Sequence, residues 1–265
     1  MKTIIFTVII AFVIAFILGA LLGFFKKIFA VQENEKVTKL KEVLPGANCG
    51  GCGYAGCASY AEAIARGDAP LNACSAGGGT VASAIAQIMG SSVEAKSYMA
   101  VLACQGSNSC TVSRGIYTGV ETCAAAAVSV NGTKLCASGC VGFGDCVAQC
   151  KFGAICMGDD GLPKIDKEKC TGCGACARAC PKKLLKKIEK SREAPMILCS
   201  CVSDAKPGVV KNCSLSCIKC QKCVRDCPTQ AITMEGGLPV IHEEKCTACG
   251  TCVSSCPRKV IKFVD

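Results

Sequence analysis

Cys217-Ile-Lys-Cys220-Gln-Lys-Cys223-Val-Arg-Asp-Cys227-Pro228 is followed by Cys246-Thr-Ala-Cys249-Gly-Thr-Cys252-Val-Ser-Ser-Cys256-Pro257. Both strings have the form C-x2-C-x2-C-x3-C-P, the spacing by which thiolates hold a pair of 4Fe–4S cubes. The first three cysteines of each string wrap one cube, and the fourth crosses over to the other. This predicts one set of Cys217, Cys220, Cys223 and Cys256, and a second of Cys246, Cys249, Cys252 and Cys227. A zinc site of this kind needs two CxxC pairs parted by a longer spacer, which neither string has.

The pattern recurs upstream. Cys136-x3-Cys140-x5-Cys146-x3-Cys150, followed by Lys-Phe-Gly-Ala-Ile, matches Cys213-x3-Cys217-x5-Cys223-x3-Cys227, followed by Pro-Thr-Gln-Ala-Ile. The stretch from Gly161-Leu-Pro to Cys170-Thr-Gly-Cys173-Gly matches that from Gly237-Leu-Pro to Cys246-Thr-Ala-Cys249-Gly. Such self-similarity marks duplicated units. Residues 134–195, with a basic linker at their end, read as a first two-cluster ferredoxin-like unit and 196–265 as a second. Each half reads as a short strand, a cysteine loop and a short helix, an α+β unit. In the first unit, Cys170, Cys173, Cys176 and Cys150 form one set. Phe143 stands where the second unit has Cys220, so the other set lacks a ligand; Cys136 is the nearest cysteine, which gives Cys136, Cys140, Cys146 and Cys180. His242, the single histidine, has Asp166 as its counterpart and reads as a surface residue. Cys104, Cys110, Cys123, Cys156, Cys199, Cys201 and Cys213 remain. They are either the source of a sixth cube or small buried hydrophobes; Cys104 and Cys199 occupy similar places ahead of the two units.

Toward the N-terminus, Pro45-Gly-Ala-Asn-Cys49-Gly-Gly-Cys52-Gly-Tyr-Ala-Gly-Cys57 leads to Cys74, a C-x2-C-x4-C-x16-C spacing. Glycines let the backbone turn tightly about a cube, and a helical pattern after Cys57 returns the chain to Cys74. Residues 28–95 read as a single-cluster module with Cys49, Cys52, Cys57 and Cys74 as ligands; one four-cysteine set can also take zinc. Residues 28–44 read as a helical connector and Val81–Met89 as a packing helix. Gly77-Gly78-Gly79 lacks the preceding strand and closing lysine of a phosphate loop. Residues 96–133 read as a connecting segment, and the basic run Pro181–Arg192 as a solvated helix face, with docking to an acidic protein or lipid as the alternative. Ile4–Phe25 is an uncharged apolar run, long enough for a transmembrane helix, so residues 1–27 read as an anchor. A signal peptide has a shorter apolar core. Lys26, Lys27, Lys36, Lys39 and Lys41 follow the run against Lys2 before it, which places the cysteine-rich part in the cytoplasm.

The chain of 265 residues carries 27 cysteines and no tryptophan. Cluster thiolates need a reducing compartment, which agrees with the charge asymmetry, and metal–thiolate bonds stand in for a large apolar core. The formal charge of +10 suggests nucleic acid or anionic lipid. However, an oxidised cube with four thiolates carries about −2, so five cubes bring about −10, and lysines balancing clusters are the better account. Nucleic acid is not expected as a partner. No nucleophile–histidine pair can be built, and every well-formed set has four protein ligands, which leaves no iron open for catalysis. A membrane-held string of five one-electron carriers, with a sixth left open, remains.

The apolar span, the Asn48-Cys-Gly-Gly-Cys-Gly-Tyr-Ala-Gly-Cys57 module closing at Cys74, and the following units together resemble the B subunit of the Rnf complex, the membrane ferredoxin:NAD oxidoreductase, in an extended form with two ferredoxin-like units. The resemblance covers essentially the whole chain. It implies an electron-transfer component of a translocase, anchored once in the cell membrane. Such a component takes electrons from reduced soluble ferredoxin and passes them to membrane partner subunits that reduce NAD with ion translocation. The alternative is an electron-donating activator of a corrinoid or other redox enzyme, since the first module is also similar to one in corrinoid iron–sulfur proteins.

Overall fold

A computed structural model describes residues 2–28, 34–93, 96–202 and 206–264. The apolar N-terminal run coils into α1 (Lys2–Ile28), with Phe12, Phe16 and Leu22 all at least 70% exposed. Among the described residues no helix is long and apolar enough to cross a membrane. The side chains of residues 2, 3, 7, 8, 11 and 26–28 lie outside the described set. Residues 29–33 of the expected connector also lie outside the described residues.

The first cysteine module is a three-helix unit of α2 (Glu35–Val43), α3 (Cys57–Arg66) and α4 (Gly78–Met89). Asn34 caps α2 by accepting the Lys36 N–H on its side chain, which satisfies one of the orphan donors of a helix start. Val37 and Leu40 fall on one helical face and meet Tyr60, Ile64 and Ile85 in a closed core, as a three- to four-residue apolar period dictates. Gly67 and Gly90, both left-handed, terminate α3 and α4. Cys74 is buried in this core, and Cys52 and Cys57 pack against it.

The first ferredoxin-like unit comprises β1 (Tyr98–Leu102), α5 (Cys123–Ser129), α6 (Asp145–Ala148), β2 (Ile155–Met157), β3 (Pro163–Ile165), α7 (Ala175–Ala179) and β4 (Leu185–Glu189). β2 and β3 form an antiparallel hairpin. β4 returns to pair with β1, setting Leu102 opposite Leu185 and Tyr98 opposite Glu189. The basic run expected as a solvated helix face is therefore partly a strand: Leu185 and Ile188 are buried while Lys186 and Lys187 are exposed. Its partner β1 supplies the edge that draws it into a ladder, and β1 lies in the stretch expected to be a plain connection.

The second unit repeats this plan with β5 (Met196–Ile197), α8 (Lys206–Asn212), α9 (Lys222–Arg225), β6 (Ile232–Glu235), β7 (Leu238–Ile241), α10 (Thr251–Ser255) and β8 (Ile261–Lys262). β6 pairs with β7, and β8 pairs with β5 as β4 does with β1. The duplication extends to backbone handedness. Left-handed residues recur at Gly142 and Lys219, Gly144 and Gln221, Gly172 and Ala248, and Gly174 and Gly250. Each cysteine loop uses such a residue to reverse direction before the short helix carrying its third cysteine. His242 sits on the second hairpin, with Nε2 2.8 Å from Thr233 Oγ1.

Gly172 and Ala248 separate handedness from crowding. Ala248 shows that a Cβ is compatible with this backbone, but a Cβ on Gly172 would lie 2.5 Å from Tyr98 Cβ and 2.7 Å from the Tyr98 carbonyl. Gly172→Ala should push β1 away from the loop and destabilise the chain by about 1–3 kcal/mol. Thermal melting alongside Gly250→Ala, where the nearest atoms are flexible Phe263 ring carbons at 3.4–3.6 Å, checks this: equal losses would contradict the steric account.

Candidate iron–sulfur centres

The three-helix module brings Cys49, Cys52, Cys57 and Cys74 together. Asn48 Oδ1 accepts the Cys57 N–H at 2.8 Å, tying the glycine-rich loop to the start of α3. The Tyr60 hydroxyl donates to the Pro70 carbonyl at 2.7 Å and accepts the Ala73 N–H at 3.1 Å, which fixes the return to Cys74. The Cys74 thiol is pushed up by burial, and further by the nearby Cys57, Cys52 and Cys49 sulfurs.

Two small, largely apolar cavities mark the next pair of sites. The second is lined by Cys217, Cys220, Cys223 and Cys256, the set expected there. The first is lined at the equivalent places by Cys140, Cys146 and Cys180. Its fourth cysteine is Cys123, where the spacing predicts Cys136; Cys136 lies instead against Cys201. The physical cause is α5. Asp145, the first residue of α6, accepts the N–H groups of Cys123 and Ala124 at 2.8 and 3.0 Å, so its carboxylate holds the α5 N-terminus beside Cys146. Phe143, which replaces the missing cysteine, packs on Tyr117 and against Cys123. Sequence spacing holds no hint of Cys123, because the helix it opens lies outside the cysteine string and is placed by hydrogen bonds to Asp145 within it.

The remaining expected sets are also brought together. Cys150 packs in the same core as Cys170 and Cys176, and Cys173 neighbours Cys176. Cys252 has Cys246, Cys227 and Cys249 as neighbours. The single-cluster module abuts the first unit at the second of its sets. Gly51 approaches so closely that a Cβ there would be 2.8 Å from the Cys173 carbonyl oxygen. Arg178 spans the contact, its guanidinium donating to the Cys49 carbonyl at 3.1 Å and the Cys173 carbonyl at 3.4 Å.

Among the described residues no three Cys, His, Asp or Glu side chains are arranged for a single metal ion; the cysteines ring spaces rather than converge on a point. Other features fit a sulfur-bridged cube. The Cys170, Cys180 and Cys227 sulfurs accept backbone N–H groups at 3.3–3.5 Å, the kind of bond that tunes cluster thiolates. Buried side-chain atoms without a partner among the described residues are Thr171 Oγ1, Ser255 Oγ and Arg258 Nε. All three flank cysteines of the sets, where acceptor sulfurs would satisfy them.

Family models agree: an Fe-S cluster family matches residues 44–76, a 4Fe-4S binding domain 163–186, and a 4Fe-4S dicluster domain 216–260. The B subunit of the ion-translocating oxidoreductase complex of Methanosarcina acetivorans is 40% identical over 238 residues, covering 89% of each chain. The chain belongs to the family of Rnf complex B subunits. The B subunit of the proton-translocating ferredoxin:NAD(+) oxidoreductase complex of Clostridium ljungdahlii is 38% identical, covering 93% of this chain and 87% of that one. The B subunit of the Na(+)-translocating ferredoxin:NAD(+) oxidoreductase complex of Acetobacterium woodii is 39% identical over 83% of this chain, which spans 66% of that relative's length. As a member of this family with 4Fe–4S domains, the protein is an electron-transfer component of a multi-subunit complex.

Asp145→Ala should release the α5 N-terminus at a cost of about 1–3 kcal/mol. Hydrogen exchange at the Cys123 and Ala124 amides should then accelerate while the second unit keeps its protection; unchanged exchange at those amides would contradict the anchoring role. A pH effect follows from the thiols. Burial pushes Cys140 up to about 12, and Cys146, Cys176 and Cys223 up to about 11, from an ordinary value near 9. The cluster-free folded chain holds these protons more tightly than the unfolded chain. Their contribution to stability is therefore complete below about pH 9 and lost as pH rises through about 11–12. Denaturant melts of cluster-free chain at pH 8 and pH 10.5 should show lower stability at the higher pH.

Proposed function

We propose that this chain is the iron–sulfur wire of a membrane ferredoxin:NAD oxidoreductase that translocates ions. It takes electrons from reduced soluble ferredoxin and passes them to membrane partner subunits. The contact of Gly51 and Arg178 with the Cys173 loop carries the reading, because it joins the single-cluster module to the ferredoxin-like units without an intervening spacer.

Five cysteine sets would hold 4Fe–4S cubes: Cys49, Cys52, Cys57 and Cys74; Cys123, Cys140, Cys146 and Cys180; Cys150, Cys170, Cys173 and Cys176; Cys217, Cys220, Cys223 and Cys256; and Cys227, Cys246, Cys249 and Cys252. When bound, each cube supplies a reversible one-electron carrier. The protein holds the carriers in order and keeps water away. Leu184 and Leu185 close one side of the Cys180 cavity as Val260 and Ile261 close that of Cys256. Near the Cys173 loop, Lys187 lies over the Tyr98 ring at 4.2 Å, a positive charge that offsets cluster charge. A groove lined by Lys182, Lys183 and Lys186 runs beside the second unit and suits an acidic donor protein.

The N-terminal run Ile4–Phe25 anchors the chain once in the cell membrane, with Lys26 and Lys27 and the cluster-bearing part on the cytoplasmic side. Exposed phenylalanine and leucine side chains along α1 support this, since so large an apolar surface needs lipid or protein to cover it. Deleting residues 1–28 should release the chain from sedimenting membranes; continued sedimentation without partner subunits would contradict the anchor.

The order of transfer can be tested by Cys49→Ala with Cys52→Ala in membranes carrying the complex. Reduced ferredoxin should still bleach the remaining clusters, while NADH formation falls at least about tenfold. Normal NADH formation would show that electrons do not leave through the single-cluster module.

A further inference from the structure

The set of Cys150, Cys170, Cys173 and Cys176 has a direct counterpart in the second unit, Cys227, Cys246, Cys249 and Cys252. Around the two sets the charge differs. Counted from the matched cysteines, Arg178 stands where the second unit has Ser254, Lys187 where it has Phe263, and Lys151 where it has Pro228. A Cβ built on Gly174 would lie 3.5 Å from Arg178 Nη1, and one on the matching Gly250 would lie 3.4 Å from the Phe263 ring. The same spot over the cysteine loop therefore carries a cation in the first unit and an apolar ring in the second.

All three of these cations reach across to the single-cluster module. Arg178 Nη2 donates to the Cys49 carbonyl at 3.1 Å while its Nη1 donates to the Cys173 carbonyl at 3.4 Å. Lys151 Nζ donates to the Ala47 carbonyl at 3.4 Å. Lys187 Nζ donates to Ser75 Oγ at 2.8 Å, next to Cys74, and lies over the Tyr98 ring. Burial pushes the Lys187 ammonium down, and the nearby Cys173 sulfur partly offsets this. Arg178 thus grips the module at its first cysteine and Lys187 beside its last, and both stand next to Cys173. The three side chains are exposed, and surface groups of this kind contribute little to stability. Their common direction, and their absence from the matching places of the second unit, call for a role in the transfer itself.

We propose that Arg178 and Lys187 are positioning residues for the one-electron step between the Cys173 centre and the single-cluster module, on the reading that both sets hold cubes. The rigid fork of Arg178 holds a carbonyl of each loop at once, which a lysine cannot do. It fixes the separation on which electron tunnelling depends. The two charges beside Cys173 favour the more negative, reduced form of this centre and raise its potential above that of its counterpart in the second unit. Electrons arriving from the second unit then collect next to the module before they are handed over. In the step, one electron leaves one set and one arrives at the other, with no proton transferred and no bond made or broken.

The test uses the full-length chain, purified without oxygen and reconstituted with ferrous iron and sulfide. Midpoint potentials come from a redox titration followed by electron paramagnetic resonance, and the hop from freeze-quenched spectra after rapid reduction. Arg178→Ser with Lys187→Phe, which installs the second unit's residues, should keep the native iron content, lower the midpoint potential of one cluster and slow the hop at least about tenfold. Arg178→Lys, which keeps the charge and loses the fork, should leave that potential in place and still slow the hop. Lys164→Ser, a lysine of the same unit whose ammonium is held by Asp160, should change neither. Native potentials and a native hop in the double variant would overturn the proposal and leave the five-set reading standing. So would an equal shift with Lys164→Ser, which would make the effect one of general surface charge. Loss of about four irons in the double variant would place these residues in holding a cluster and would also overturn it. Zinc in place of iron in the native chain would overturn both the proposal and the five-set reading.

Discussion

Every level of this fold answers to one requirement: four sulfurs must be presented to one cube from a chain that folds back on itself within a few residues. Ordinary right-handed backbone cannot turn that sharply between cysteines three residues apart, so left-handed residues precede the short helices at Gly144, Gly174, Gln221 and Gly250. The fourth sulfur comes from a distant string, so the two halves of each unit must close on each other. The hairpins and the β4–β1 and β8–β5 pairings achieve that closure. Apolar packing is small by comparison, and cysteines themselves line the cores of both units.

Charge follows from the same requirement. Each thiolate-bound cube is an anion in a poorly solvated place, and the protein's cations are set against it. Lys134 is buried, Arg178 bridges two cysteine-loop carbonyls, Arg225 donates to the Cys220 carbonyl, and Arg258 reaches the Cys213 carbonyl. The excess of ten positive charges over the sequence is in this view a counter-charge. Elsewhere Arg192 is taken up by Glu243, so the basic linker is partly neutralised by the second unit itself.

Much of this is legible in the sequence because ligand spacing is a local code. The C-x2-C-x2-C-x3-C-P strings, the C-x2-C-x4-C-x16-C module and the internal repeat can be read from spacing alone, as can the family they resemble. What escapes such reading is placed by contacts across the chain. Cys123 reaches the Cys146 cavity through the Asp145 carboxylate, which no spacing rule encodes. The Lys186–Lys187 segment reads as a solvated helix because its charges dominate the pattern. Its strand state depends on β1, far earlier in sequence. The close approach of Gly51 to Cys173 is likewise invisible until both loops are folded.

The central claim is that the cysteine sets form one connected electron path. An anaerobic reductive titration of the full-length chain, with electrons supplied by reduced ferredoxin and counted against bleaching of cluster absorbance, tests it most directly. The account predicts uptake of about five or six one-electron equivalents per chain, all reachable from a single entry point. Uptake that stops after the equivalents of one unit, with the rest reducible only by a small-molecule reductant, would contradict it.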